Sequence, residues 1–203
     1  MNPQNGQTPL DYLNQIAPQA PKTSRFGLNL RTIIIAAIAA ILLVVILVVI
    51  ANSIGGSRKE PWEQLAARLT VTGDVVNTSS SEIKNSQLRS LNSDIKLYIT
   101  NTQRDLAVPL ASLDINPSKL TKEIVAAENA TGITERLEDG RLNAKFDSTY
   151  AREMTYQLAT ILALLQKLYS TSSKADTKAF LTTAYDNLKP TYDVVSDFSA
   201  ANE

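Results

Sequence analysis

The sequence predicts an all-α protein: one N-terminal transmembrane helix, then an antiparallel four- to five-helix bundle as an ectodomain. Three observations carry that expectation. Residues 33–51 read IIIAAIAAILLVVILVVIA, nineteen apolar residues without a charge or a proline. From residue 58 onward, apolar side chains recur at threes and fours, the period of a helix that buries one face. No window shows the sustained alternation between hairpin turns that a sheet requires.

The apolar run comes first in the chain. At about 1.5 Å per residue it is roughly 28 Å long, close to the hydrocarbon thickness of a bilayer. Much of it is Ile and Val, which favour strand in water. In hydrocarbon the backbone has no partner but itself, and that need outweighs propensities of a few tenths of a kcal/mol. No charge stands between Arg31 and Arg58. Residues 1–31 carry Lys22, Arg25 and Arg31 against Asp11, a net of +2, whereas residues 58–203 carry 17 basic and 19 acidic side chains, a net of −2. A short basic N-terminus before a large domain predicts the N-terminus inside and the domain outside.

The small residues at Ala51-Asn52-Ser53 would suit a signal peptidase. Against cleavage stand an apolar stretch longer than a typical signal core and the 31 residues before it. The spacing Ala36-x-x-x-Ala40 admits close helix packing in the membrane and hence a homo-oligomer. A type IV pilin is excluded, because Thr32 stands where such a protein needs Glu after Gly27.

Four stretches follow from these limits. Residues 1–31 are expected to be a disordered cytoplasmic tail, with Pro3, Pro9, Pro18 and Pro21 and nothing that could bury a core. Within it the Leu10–Ile16 patch could form a short helix or dock on a partner. Residues 32–51 are the membrane helix and 52–57 a linker whose Gly55-Gly56 decouples domain from anchor. Residues 58–200 are the bundle.

Its helices are expected in turn. Ser57-Arg58-Lys59-Glu60 matches a capping box, with Pro61 in the first turn. Trp62, Leu65, Ala66, Leu69 and Val76 then mark helix one, with Gly73 a weak point. Trp62 fits a core position or a membrane-interface anchor. Ser79-Ser80-Ser81 predicts a turn or a second cap. Ile83, Leu88, Leu91, Ile95, Tyr98, Leu106 and Leu110 mark helix two, with Pro109 near its end. Asn116 as cap and Pro117 as first residue would open helix three, striped by Leu120, Ile124, Ala127, Ile133 and Leu137, interrupted near Thr131-Gly132 and ended by Asp139-Gly140. Helix four, from about Asn143 to Tyr169, carries Phe146, Tyr150, Met154, Leu158, Ile161, Leu162, Leu165 and Leu168. Residues 170–174 form a loop. Helix five holds Phe180, Leu181, Ala184, Tyr185, Leu188, Val194, Val195 and Phe198, with a kink expected at Pro190.

The second half reads Phe146-Asp147-Ser148-Thr149-Tyr150, then an apolar helix, then Lys178-Ala179-Phe180, then Leu188-Lys189-Pro190-Thr191. Over about residues 85–200 this order resembles a bacterial family of exported ferritin-like four-helix proteins of unknown function. The N-terminal patch with Pro21-Lys22 resembles the N-termini of small single-pass membrane proteins of reduced-genome, host-attached bacteria. The first resemblance implies a four-helix bundle and, through histidines on its helices, a metal. This chain has no histidine. A di-iron carboxylate centre needs two Glu-x-x-His elements and two more Glu, so the metal role is not expected to carry over.

Chemistry is bounded in the same way. With no histidine and no cysteine, neither a Ser-His-Asp nor a Cys-His device can be built, and no disulfide or lipobox exists. Glu123, Glu128, Glu135, Asp139, Asp147 and Glu153 are the carboxylates open to acid–base work, and their spacing puts most of them on solvated faces. No glycine-rich phosphate loop and no Asp-rich cation loop is present. A near-neutral domain with interspersed charge argues against nucleic acid. Asn77-Thr78-Ser79 and Asn129-Ala130-Thr131 match glycosylation sequons, a pattern common by chance.

The expectation is therefore no catalytic, cofactor or metal residues, and an envelope protein held in the bilayer by residues 33–51. It would act by binding or scaffolding a protein partner. A carboxylate-only, ferritin-like metal or ligand binder is the alternative, and an accessory subunit of a membrane enzyme or secretion complex the next.

Overall fold

The computed structural model describes residues 59–202. The tail, the 33–51 run, the linker and the Ser57-Arg58 part of the capping box lie outside the described residues. Among the described residues no helix is long and apolar enough to cross a membrane.

All regular structure in this range is helical: α1 Glu60–Ser79, α2 Ser86–Ala111, α3 Lys122–Ala127, α4 Thr131–Leu142, α5 Phe146–Thr171 and α6 Ala175–Ala201. Four long helices make the bundle, since α1 packs on α2 and α5, and α6 packs on the same two. Short connections make α1 antiparallel to α2 and α5 antiparallel to α6. Asp147, in the first turn of α5, accepts hydrogen bonds from the backbone N–H groups of Lys84 and Asn85, just before α2 (3.0 and 2.7 Å). The helices α2 and α5 therefore start at the same end and run parallel across the diagonal, and every neighbouring pair is antiparallel. The chain must then return the full length of the bundle between α2 and α5. Residues 112–145, with α3 and α4, are that crossover. It climbs first beside α1 and then along α5.

Most of the stripes meet in the core, with Ala127 and Val194 left exposed. Leu65, Leu69, Leu88, Ile95, Ile99, Leu106, Met154, Leu158, Ile161 and Leu165 are sealed from solvent. Trp62 is buried among them, so it is a core residue. Helix α5 touches α1, α4 and α6 and is buried on most of its circumference, as a helix apolar nearly all round should be.

Several local expectations are corrected. Helix α1 starts after Lys59, which makes no side-chain cap. The serine run is the expected turn, with the Glu82 N–H bonding the Ser79 carbonyl, and the cap of α2 is Asn85, whose side chain accepts from the Leu88 N–H at 3.1 Å. Asn116-Pro117 does not open a helix. The Asn116 side chain accepts from the Ser118 N–H and its carbonyl from the Lys119 N–H, an Asx turn that competes with helix. The interruption expected in helix three near Thr131-Gly132 is a full break at 128–130 that leaves two helices.

Gly140 does not end α4. It lies buried inside it, and a Cβ there would stand 2.6 Å from Thr149 Oγ1 on α5, so the glycine marks a close helix approach. The true stop is Ala144, at φ 56°. There the Lys145 N–H bonds the Gly140 carbonyl and the Ala144 N–H that of Arg141, a Schellman turn without glycine. Asp114, at φ 51°, closes α2 in the same manner. Helix α6 continues through Pro190 to Ala201.

Candidate functional site

The resemblance motif proves to be a joint. Phe146 and Tyr150, one turn apart on α5, stack in the core with ring centres 6.2 Å apart. The Tyr150 hydroxyl donates to Asn92 Oδ1 on α2, and burial holds its pKa far above the usual phenol value. With Asp147 on the Lys84 and Asn85 amides, these residues tie the parallel starts of α2 and α5 together.

The polar chemistry of the domain concentrates elsewhere, beneath the crossover. A second stripe on α5 is polar yet buried: Thr149, Glu153, Gln157 and Thr160. Arg136 of α4 makes a two-pronged pair with Glu153, Nε to Oε1 at 2.6 Å and the terminal nitrogen to Oε2 at 2.7 Å. That fork is the strong geometry for a guanidinium and a carboxylate. The hydrogen bond to Glu153 also raises the Arg136 pKa.

One helical repeat along, Arg68 of α1 donates to Gln157 Oε1 at 2.8 Å and meets Glu128, just after α3, at 2.5 Å. This second pair is made differently. The approach to Glu128 Oε2 is not aligned as a hydrogen bond, and Arg68 Nε has no partner either. Thr72, one turn beyond Arg68 on α1, is fully buried with a partnerless hydroxyl. Among the described residues these three atoms are the ones buried without a hydrogen-bond partner. Burial raises the Glu128 pKa above its ordinary value, with Arg68 opposing the rise.

The carboxylates singled out from sequence thus separate. Glu123, Glu135 and Asp139 are exposed, Asp147 bonds backbone amides, and Glu128 and Glu153 lie in the ion pairs. Most of the six face solvent, as their spacing implied, and Glu128 and Glu153 are the exceptions. Spacing treats α3 and α4 as free helices, whereas folding the crossover onto α1 and α5 buries one side of each. Arg68, Thr72, Arg136 and Gln157 were not singled out at all. Their signal was present in the Glu153-x-x-x-Gln157 spacing, which interrupts an otherwise apolar circumference on α5.

No group of three His, Cys, Asp or Glu among the described residues stands close enough to hold a metal. The donors that do face inward, Glu128 and Glu153, each meet an arginine and lie on separate pairs, so they do not fit a carboxylate di-metal centre. A groove of about 370 Å³ runs between α2 and α6, floored by Pro109, Phe180 and Ala184 and rimmed by Asn101, Asp105, Asp176 and Asn187. No family model matches the chain, and neither the curated proteins nor the solved structures yielded a match.

Proposed function

We propose that this is a single-pass envelope protein whose helical domain, outside the cytoplasmic membrane, acts by binding or scaffolding and not by catalysis. The apolar 33–51 run supports the anchor, and the basic residues before it support an N-terminus inside. The observation that carries the non-catalytic part is how the polar side chains at the helix contacts are used. Arg136, Glu153, Asp147, Tyr150 and Asn92 all bridge one helix to another. They hold the bundle's shape, which a binding surface needs.

In-membrane crosslinking of the full chain, read by mass spectrometry with protease protection, tests both parts. The expected result is a protein crosslinked to the 58–200 domain and protease access to that domain from the outer face only. Turnover of a small molecule by the purified chain would defeat the reading.

The single crossover between the second and third long helices is the connection that ferritin-like bundles use. It supports a ferritin-like architecture, as the Phe146–Tyr150 resemblance implied. The carboxylate-only metal reading gains nothing from it, given the arginine partners of Glu128 and Glu153. In the accessory-subunit reading the partner would also touch the Leu10–Ile16 patch, and crosslinks to that patch would favour it.

A further inference from the structure

The two arginine–glutamate pairs under the crossover are unequal: Arg136 is half exposed beside a buried Glu153, whereas Arg68 and Glu128 are both largely buried. Arg136–Glu153 is a full fork. Arg68–Glu128 is a contact with the Nε–H unused, the carboxylate oxygen unaligned and a buried, partnerless Thr72 hydroxyl one turn away. Buried polar groups left this way cost free energy and call for an explanation. Gln157 completes the surroundings by holding the other side of the Arg68 guanidinium in place.

The partnerless Thr72 hydroxyl lies one helical turn along α1 from Arg68, and a guanidinium fixed by an amide is a cradle for a carboxylate. Glu128 fills it imperfectly because it is delivered from outside the bundle. It follows α3, a six-residue helix whose buried side chain is Ile124. A helix that short does not hold itself in water. Its flanks are better fastened: Thr121 is bonded through backbone and side chain to Glu63, and α4 is clamped by Arg136–Glu153. Between these fastenings the segment is tied to the bundle through Ile124 and Glu128.

We propose that Arg68, Thr72 and Gln157 form a carboxylate-binding site, and that Glu128 on the α3 segment is a displaceable plug occupying it. The ligand is a carboxylate borne by a small molecule or by an acidic peptide. This goes beyond the binding role above and does not depend on the membrane anchor. A competitor tethered in the site lowers apparent affinity by the fraction of time that it is out, and removing it restores the difference.

The test uses the full chain in nanodiscs, with succinate and a short glutamate-containing peptide as probes and chloride at equal ionic strength as control. Glu128→Ala should bind at least one probe about tenfold tighter than wild type, and Arg68→Lys in that background should lose the gain. In the wild type, the bound probe should speed amide hydrogen exchange over Lys122–Ala127 and leave α5 protected. Tighter binding of succinate alone identifies a small-molecule ligand, and of the peptide alone a protein partner. Equal binding by wild type and Glu128→Ala, or a gain that survives Arg68→Lys, overturns the proposal. Should either variant lose its helical circular dichroism, the wild-type exchange measurement decides: unchanged exchange over Lys122–Ala127 with both probes overturns it.

Discussion

Two glycines in helices make opposite demands on the same substitution. At Gly73 an added methyl would meet Ile99 Cγ2 at 3.4 Å, an ordinary contact. Gly73→Ala should therefore stabilise the domain by about 0.5–1 kcal/mol, the helical cost of glycine. At Gly140 the same methyl would collide with Thr149 at 2.6 Å, and Gly140→Ala should cost about 1–3 kcal/mol. Urea unfolding of the two variants checks the pair, and equal shifts in one direction would refute the packing described for α4 on α5.

Glu128 supplies a pH dependence at this scale. Its pKa is raised in the folded state by burial. Its contribution is thus fully present below the ordinary carboxylate pKa and is lost as pH rises through the raised value. Glu128→Gln should gain stability relative to wild type as pH increases from about 4 to about 7. A wild-type-minus-variant difference that is flat with pH would contradict the burial of this carboxylate.

At the scale of the element, α5 is the axis of the domain. Leu162 is buried near its middle, and Leu162→Asp would place an unpaired carboxylate in the core. The loss should exceed about 4 kcal/mol, enough to abolish the thermal transition of residues 58–203 in circular dichroism. Asp147 works at the end of the same helix by a different means. Its carboxylate serves two exposed amides that precede α2, and Asp147→Ala should cost about 0.5–1.5 kcal/mol as water replaces that partner. Hydrogen exchange should rise first at Lys84 and Asn85, and not along α5. The break of the expected third helix also belongs to this scale. The apolar stripe runs through Leu120, Ile124, Ile133 and Leu137, but Asn116 turns the chain with its own side chain, and α3 stops at Ala127. A stripe reports which residues face inward, and not whether one axis joins them.

At the scale of the whole molecule, the crossover decides the architecture. A chain with only short connections would run up and down around the ring. Here residues 112–145 carry it back along the bundle, so that α2 and α5 lie parallel across the diagonal while all neighbours are antiparallel. That path buries one side of α3 and α4 and creates the polar seam at Arg68, Thr72, Glu128, Arg136, Glu153 and Gln157. The helices and their apolar faces were legible beforehand, because the apolar period acts over a few turns of chain. The all-α class and the extents of α1, α2, α5 and α6 follow from them to within a few residues. The seam was not legible, because Arg68 and Gln157 are separated by 89 positions in the chain, and no local pattern encodes such a pairing. Nor was Gly140, since a glycine near the end of a stripe reads as a stop until the neighbouring helix is in view. The sequence by itself determined that this domain is built of amphipathic helices and lacks the histidine and cysteine of the commonest catalytic devices. Tertiary structure alone decided which charges are buried and which glycine is a contact, because both depend on what the crossover brings alongside.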